Sequence, residues 1–200
     1  MDNQIRKEEI DQMMKISCDT RGEEILGVTS YIKDHYGEDA LKTVERRLVE
    51  LGYPFDFGKI TISNWYPEAM NVLLIMILRE AYNLTDEDIK EMGRVIPRVF
   101  ILTRMLIKYF ISLKKTFESG TEYWSKFVTC GTLEPYKMSE KEKYVIWRLK
   151  GYDFPAIQCN YLSGYLLGLA ENYFGNGKVT VEETACLHRG DPFHEFTIKW

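Results

Sequence analysis

The sequence predicts an α+β fold in which N-terminal helices pack on an antiparallel sheet of about four or five strands. Apolar residues recur at helical spacing through most of the first 113 positions, whereas Tyr144–Leu149 is rich in β-branched and aromatic residues. Residues 179–182 and 196–199 alternate between apolar and polar side chains, which indicates two further strands. A single glycine-containing helix near 161–169 is expected within this strand-rich half.

A chain of 200 residues is long enough to bury one full core. We expect residues 20–200 to form a single domain. Residues 1–19 are polar with scattered apolar positions, and we expect a short helix that packs on a partner subunit or a frayed tail.

Helices are predicted over 21–36, 38–51 and 68–82, and the third is buried because it is apolar on nearly every side. Trp65-Tyr66-Pro67 is expected to open that third helix, since proline suits a first turn. The next helix begins near Thr85, which has the spacing of a capping box with Asp88.

Pro97 is expected to interrupt this helix, and residues 99–113 to continue as a long amphipathic helix. In the later helix, Gly164 and Gly168 lie four residues apart on one face, so its backbone can approach a neighbour closely. These glycines, or residues 1–19, could also support a dimer.

Composition argues against several classes of protein. The chain has 26 basic and 30 acidic residues and no basic block, which argues against a nucleic-acid partner. No apolar run reaches membrane length. The 4 cysteines occur without a signal peptide, which predicts reduced thiols and a cytoplasmic location.

Catalytic motifs are absent from the sequence. We find no glycine-rich dinucleotide or phosphate loop, no flavin signature and no histidine paired with a nucleophile. The chain is therefore not expected to be an enzyme. It also lacks a recognisable DNA-binding, kinase or ATPase motif, so any signalling would pass through a partner protein.

The segment from Cys159 to the C-terminus has the pattern of a metal site. Cys159 stands at the start of the embedded helix, Glu183 and Cys186 lie near the end of a predicted strand, and a turn at 189–192 would bring His194 beside Cys186. Two thiolates, a carboxylate and an imidazole would make a closed tetrahedral shell that suits structural zinc. The alternative is that the cysteines are small buried apolar residues and Glu183 is solvated.

The same segment resembles the C-terminal part of the 4-vinyl-reductase domain family, the small-molecule-binding module of aromatic-responsive bacterial regulators. The resemblance covers about the last 45 residues. Upstream, Thr20-Arg-Gly, Trp65-Tyr-Pro and Met92-Gly-Arg resemble a wider group that includes haem-nitric-oxide-binding-like domains and trafficking-complex subunits. The C-terminal match consists of Cys159-Asn-Tyr-Leu-Ser-Gly-Tyr-Leu-Leu-Gly, then Glu183-x-x-Cys186, then Gly-Asp-Pro-x-His194-x-Phe.

This resemblance implies that Cys159, Glu183, Cys186 and His194 hold a structural zinc, although the family has cysteine where this chain has His194. It further implies a stand-alone sensory domain, forming a homodimer, that binds a small hydrophobic ligand, with aromatic molecules among the candidates. The side chains expected to line its pocket are large and apolar: Met70, Met76, Phe100, Met105, Phe127, Trp147 and Tyr165.

Two other functions follow from the relatives. The family name implies an accessory or reductase-like component of tetrapyrrole metabolism. The gas-sensing relatives imply a haem-based sensor, but they bind haem through a helical histidine and a Tyr-x-Ser-x-Arg motif that this chain lacks. His35 is the only histidine expected on a helix, where it suits a C-terminal end as a cation.

Overall fold

A computed structural model of the chain describes residues 5–99, 112–175 and 177–200. Most of the segment predicted as a helix over 99–113 lies outside these ranges. Within them, no helix combines the length and the apolar character needed to cross a membrane.

Helices dominate the first half of the chain, as predicted. Their buried faces follow the predicted stripes: in the third helix, Leu41, Val44, Leu48 and Leu51 are all buried. The first helix packs on this core through Ile10. The bounds are α1 Lys7–Met13, α2 Gly22–Tyr36, α3 Glu38–Leu51, α4 Glu68–Tyr82 and α5 Asp86–Val99.

The second half forms an antiparallel sheet with one long helix, which confirms the α+β prediction. The strand order is β3-β4-β6-β5, and every neighbouring pair is antiparallel. The elements are α6 Leu113–Glu118, α7 Gly120–Phe127, β3 Thr132–Ser139, β4 Tyr144–Lys150, α8 Ile157–Phe174, β5 Thr180–Ala185 and β6 His194–Lys199.

Two local predictions were wrong. Trp65–Pro67 does not open a helix but forms strand β2, which pairs with β1 Asp19–Arg21 in a separate two-stranded sheet. Aromatic residues favour this extended backbone, and pairing with β1 satisfies it. Helix α5 runs through Pro97 without interruption, because proline removes one N–H donor but does not by itself end a helix.

The start of α5 has the predicted capping box. The Thr85 backbone N–H donates to Asp88 Oδ2 at 2.8 Å, and the Asp88 N–H donates to Thr85 Oγ1 at 3.2 Å. Both terminal N–H groups are thereby satisfied.

Helices α5 and α8 cross in backbone contact, as the glycine spacing predicted. A Cβ added at Gly164 would overlap the Lys90 carbonyl oxygen, and one at Gly168 would overlap that of Arg94. On the other helix, a Cβ at Gly93 would overlap the Tyr161 carbonyl oxygen. These glycines are used inside the chain, so the alternative that Gly164 and Gly168 support a dimer is wrong.

A disulfide joins Cys18, just before β1, to Cys130, just before β3. The prediction of four reduced thiols is therefore wrong for these two residues and holds for Cys159 and Cys186. Sequence alone could not pair them, because 112 positions separate the two. Hydrogen bonds reinforce the link: Asp19 N–H donates to Thr129 Oγ1 at 2.7 Å.

Candidate functional site

A cavity of about 130 Å³ lies between the helices and the sheet. Helices α2 and α4 contribute polar side chains to one end of it, whereas α7, α8 and three strands contribute apolar ones. The apolar and aromatic lining consists of Tyr123, Trp124, Phe127, Val128, Leu133, Leu149, Tyr152, Tyr161, Leu162, Tyr165, Leu166, Leu169 and Phe196.

Glu24 of α2 is one of two buried carboxyl groups that line the cavity. Two tyrosine hydroxyls of α8 donate to it, Tyr165 to Oε1 at 2.8 Å and Tyr161 to Oε2 at 3.4 Å. Burial raises the pKa of Glu24 to about 8, since the hydrogen bond from Tyr165 does not offset the lost hydration and nearby Glu68 adds repulsion.

Glu68, in the first turn of α4, is the second carboxyl group and is 3 % exposed. Its Oε1 accepts from the Tyr152 hydroxyl at 2.6 Å and from Gln158 Nε2 at 2.9 Å. Burial raises the pKa of Glu68 to about 7, opposed by the neighbouring polar groups of Tyr152, Thr20, Asn71 and Gln158.

The polar end of the cavity has unused acceptor atoms. Among the described residues, no hydrogen-bond partner reaches Glu68 Oε2, Asn71 Oδ1 or Gln158 Oε1, and the Thr20 hydroxyl also lacks one. Thr20 and Asn71 lie near Glu68 and lower the pKa of its carboxyl group. Buried acceptors without partners are rare in folded proteins, and each costs about 1–3 kcal/mol.

The four predicted metal ligands converge beside this cavity. One ligand atom from each of Cys159, Glu183, Cys186 and His194 lies within 4.8 Å of all the others. The two Sγ atoms are 3.6 Å apart, Cys159 Sγ is 3.7 Å from His194 Nδ1, and His194 Nδ1 is 2.9 Å from Glu183 Oε1.

Cys159, Glu183, Cys186 and His194 are called the cysteine cluster below. Opposing effects set the pKa values of its groups. Burial raises the pKa of the Cys159 thiol, and the nearby Glu183 charge raises it further. Burial also pushes the pKa of Glu183 upward, but hydrogen bonds from His194, Cys186 and Cys159 outweigh that effect and lower it.

The sheet and a tight turn place these groups. Leu133, Leu149 and His194 are successive cross-strand partners on β3, β4 and β6, so they share one face of the sheet. The chain turns at Gly190, which has a φ of 90°, and the Asp191 carboxylate accepts from the Cys186 N–H at 2.8 Å. A bulge between Glu183 and Ala185 shifts the register of β5 just before Cys186.

The seven pocket residues predicted from the sequence are dispersed. Phe127 and Tyr165 line the cavity, whereas Trp147 lines a second cavity of about 70 Å³ beside it. Met70 and Met76 are not among the lining of either cavity. Phe100 and Met105 lie outside the described residues.

Sequence analysis missed the polar end of the cavity. Glu24 and Glu68 stand in the first turns of α2 and α4, where a carboxylate is ordinarily an exposed partner of the helix dipole. One signal could have found Glu24. It lies four residues before Val28 and seven before Tyr31, on the face predicted to be buried.

The sequence matches no protein-family model and no curated protein. Among solved structures, the fold is similar to that of an H-NOX protein from Shewanella oneidensis, with a TM-score of 0.65 at 13% identity over 90% of this chain and 98% of that one. It is also similar to an oxygen-binding H-NOX domain related to soluble guanylate cyclases, with a TM-score of 0.59 at 17% identity over 90% and 94% of the two chains. At this identity the likeness establishes the fold.

These comparisons correct the cofactor prediction. The similar structures hold the iron of haem, in ligation states such as Fe(II)NO, and the prediction of structural zinc is wrong. Its physical basis was the convergence of thiol, carboxylate and imidazole groups, and those groups also satisfy one another by direct contact. Side-chain chemistry alone does not identify an element.

Proposed function

We propose that this chain is a sensory domain that binds a small, predominantly apolar molecule in the cavity between α2, α4, α7, α8 and the sheet. The apolar and aromatic lining of that cavity is the observation that carries the proposal. Ligand sites are typically concave and apolar with a few well-placed polar groups, which describes this cavity.

The volume favours a ligand of about one ring. A cavity of about 150 Å³ in another protein accepts benzene, and the present cavity is about 130 Å³. Pockets for larger organic ligands run to roughly 300–1,000 Å³. The cavity is therefore of the size class that suits a single-ring aromatic molecule or an aliphatic one of similar size.

Haem, the ligand of the structurally similar proteins, does not fit the residues present. Haem iron needs a histidine, cysteine, methionine or tyrosine ligand. The described lining contains no histidine, cysteine or methionine, and the sequence has no histidine between His35 and His188. The hydroxyls of three of the four tyrosines in the described lining, Tyr152, Tyr161 and Tyr165, are occupied with the buried carboxyl groups.

An absorption spectrum separates the two functions. The purified protein is expected to lack a Soret band, both as isolated and after incubation with haem followed by removal of the unbound haem on a desalting column. It should instead show a higher melting temperature with toluene or ethylbenzene, and Phe127→Ala should change that response. A Soret band with a defined stoichiometry would favour the haem-sensor alternative and overturn the proposal.

The finer family assignment is part of the same proposal. A 4-vinyl-reductase-like domain that reports on an aromatic ligand through a homodimer or a signalling partner is compatible with the cavity and with the cysteine cluster beside it. Sedimentation of the protein with and without ligand tests the dimer.

We also propose Cys159, Glu183, Cys186 and His194 as ligands of a metal ion, since their donor atoms already converge. Titration with Co²⁺ tests the ligand set, because thiolate–cobalt coordination produces absorption bands that a carboxylate site does not. A spectrum without such bands would leave the four groups as a hydrogen-bonded cluster.

A further inference from the structure

We propose that the polar end of the cavity binds the ammonium group of a small amine whose apolar body fills the remainder. This inference rests on the proposed function, since it names the chemical class of the ligand in the same cavity. It is carried by the charge and the hydrogen-bond inventory of the lining.

The charge of the lining is one-sided. Glu24 and Glu68 are both more than nine-tenths buried and both line the cavity, whereas no lysine, arginine or histidine is present among the described lining residues. The acidic groups lack an internal cation to compensate them. A buried carboxylate without a partner is costly, and a cationic ligand supplies one.

The hydrogen-bonding atoms at this end of the cavity also favour a cation, because several of them are acceptors without a donor. Glu24 is already occupied by two tyrosine hydroxyls, but Glu68 Oε2, Asn71 Oδ1 and Gln158 Oε1 are acceptors without a partner in the described part of the chain. An ammonium group offers three N–H donors and no acceptor. These three oxygen acceptors match the three donors of an ammonium group, and the Thr20 hydroxyl, which also lacks a partner, can accept from it as well.

Other ligand classes fit less well. A carboxylate or phenolate would meet two acidic groups, and like charges at close range disfavour binding. An alcohol donates a single hydrogen bond and would leave acceptors unpaired. A hydrocarbon of the same shape would leave all of them unpaired.

Proton balance is consistent with this assignment. When a protonated amine binds near neutral pH, the Glu68 carboxyl group gives up its proton to solvent and forms the ion pair as a carboxylate. No redox or covalent step is involved. Affinity should therefore increase as pH rises through the region where Glu68 ionises, until the amine itself loses its proton.

Other titratable groups face this site from each packed element. They are Glu23 and Glu24 on α2, Tyr123 on α7, Tyr152 after β4, and Tyr161 and Tyr165 on α8. Burial raises the pKa of Tyr152 and Tyr161 well above the usual range, so both stay neutral near pH 7. Any protons released on amine binding would therefore come from the carboxyl groups.

Isothermal titration with benzylamine, benzyl alcohol and ethylbenzene tests the proposal, because these probes have nearly the same size and shape. We expect benzylamine to bind about tenfold or more tightly than ethylbenzene, in line with the cost of leaving a buried charge unpaired. The heat of amine binding should vary with the ionisation enthalpy of the buffer, as proton release requires.

The variant Glu68→Gln should lose about tenfold or more of the benzylamine affinity, and this loss should exceed any change in its ethylbenzene affinity. The exposed Glu142→Gln is the matched control and should retain both affinities. A melting curve of each variant checks that it is folded. The comparison of probes on the unaltered protein does not depend on any variant.

Equal or tighter binding of ethylbenzene or benzyl alcohol would overturn the amine assignment and leave the proposed function intact. Failure of every probe to bind would overturn the proposed function as well. Preferential binding of benzylamine that survives Glu68→Gln would also contradict the inference, because the selectivity would then arise elsewhere.

Discussion

Two buried polar clusters lie side by side in this protein, and the pKa values of their carboxyl groups are shifted in opposite directions. Glu24 and Glu68 at the cavity have raised pKa values, whereas the pKa of Glu183 in the cysteine cluster is lowered. Tyr152 joins the clusters: its hydroxyl donates to Glu68, and its carbonyl oxygen accepts from His194 Nε2 at 3.2 Å.

The partners of each carboxyl group account for the difference. Glu183 is half-buried and hydrogen-bonded to an imidazole that can carry a positive charge, so its ionised form is stabilised. Glu24 and Glu68 are fully buried and receive hydrogen bonds from neutral hydroxyl and amide groups. Neutral donors do not offset the loss of hydration, which leaves the cavity side in need of a cation.

The largest expected effect is on the pH dependence of stability. Below pH 4.5 Glu24 is protonated in both the folded and the unfolded state, and as pH rises the unfolded chain loses its proton first. The free energy of unfolding should fall until pH reaches about 8 and then level off, a loss on the order of 5 kcal/mol. Urea denaturation across this range measures it.

Glu24→Gln should weaken that dependence and leave the part that Glu68 contributes up to about pH 7, while Glu142→Gln on the surface should retain all of it. If the free energy of unfolding of Glu24→Gln varied with pH as it does in the unaltered protein, Glu24 would not have the raised pKa that distinguishes the two clusters.

The variant His194→Ala tests the cysteine cluster. It removes the partner of a partly buried carboxylate and leaves a void, so we expect a loss of about 3–5 kcal/mol in the free energy of unfolding. His35→Ala is the control, since His35 is exposed and should contribute less than about 1 kcal/mol. Equal losses in the two variants would show that Glu183 does not depend on His194.

Opening the Cys18–Cys130 disulfide loosens the cavity side alone. Cys18→Ser with Cys130→Ser should cost about 2–4 kcal/mol, because the disulfide closes a long loop in the unfolded chain. Ethylbenzene affinity should also fall, since Thr20 and Val128 of the lining adjoin the bridge.

Thiol titration of the folded double variant should match that of the unaltered protein at Cys159 and Cys186, which remain buried. If these thiols became reactive, loss of the disulfide would also have destabilised the cysteine cluster.

The smallest effect is expected for Cys186→Ala. The loss of one buried thiol should cost about 1–2 kcal/mol, and any metal content found by elemental analysis should fall with it. Glu182→Gln, at an exposed position of the adjoining strand β5, should alter neither quantity. Retained metal and melting temperature in Cys186→Ala would remove that residue from the proposed ligand set.

Much of the fold could be predicted from the sequence because local signals and tertiary structure agree there. The stripe of α3, the capping box at Thr85 and the hairpin turn at Gly190 each depend on residues close in sequence. The strand at Trp65–Pro67 could not be predicted, since its partner Asp19–Arg21 is distant in the chain.

The candidate site divides in the same way. Cys159, Glu183, Cys186 and His194 belong to residue types that suggest metal chemistry, so their convergence could be anticipated. Glu68 could not, because an acidic residue in a first helical turn is ordinarily solvated. Glu24 has the same kind of position, and only its helical spacing from apolar residues marks it as buried. Only the packing of α8 over α2 and α4 makes them buried.

The close crossing of α5 and α8 limits which parts of this binding site can change during evolution. Gly93, Gly164 and Gly168 each face a carbonyl oxygen of the opposite helix, so even one added methyl group must push the helices apart. The α8 wall of the cavity is therefore fixed in position. Descendants of this protein that acquire other ligands should vary at Tyr123, Phe127 and Leu133, which line the cavity from α7 and β3.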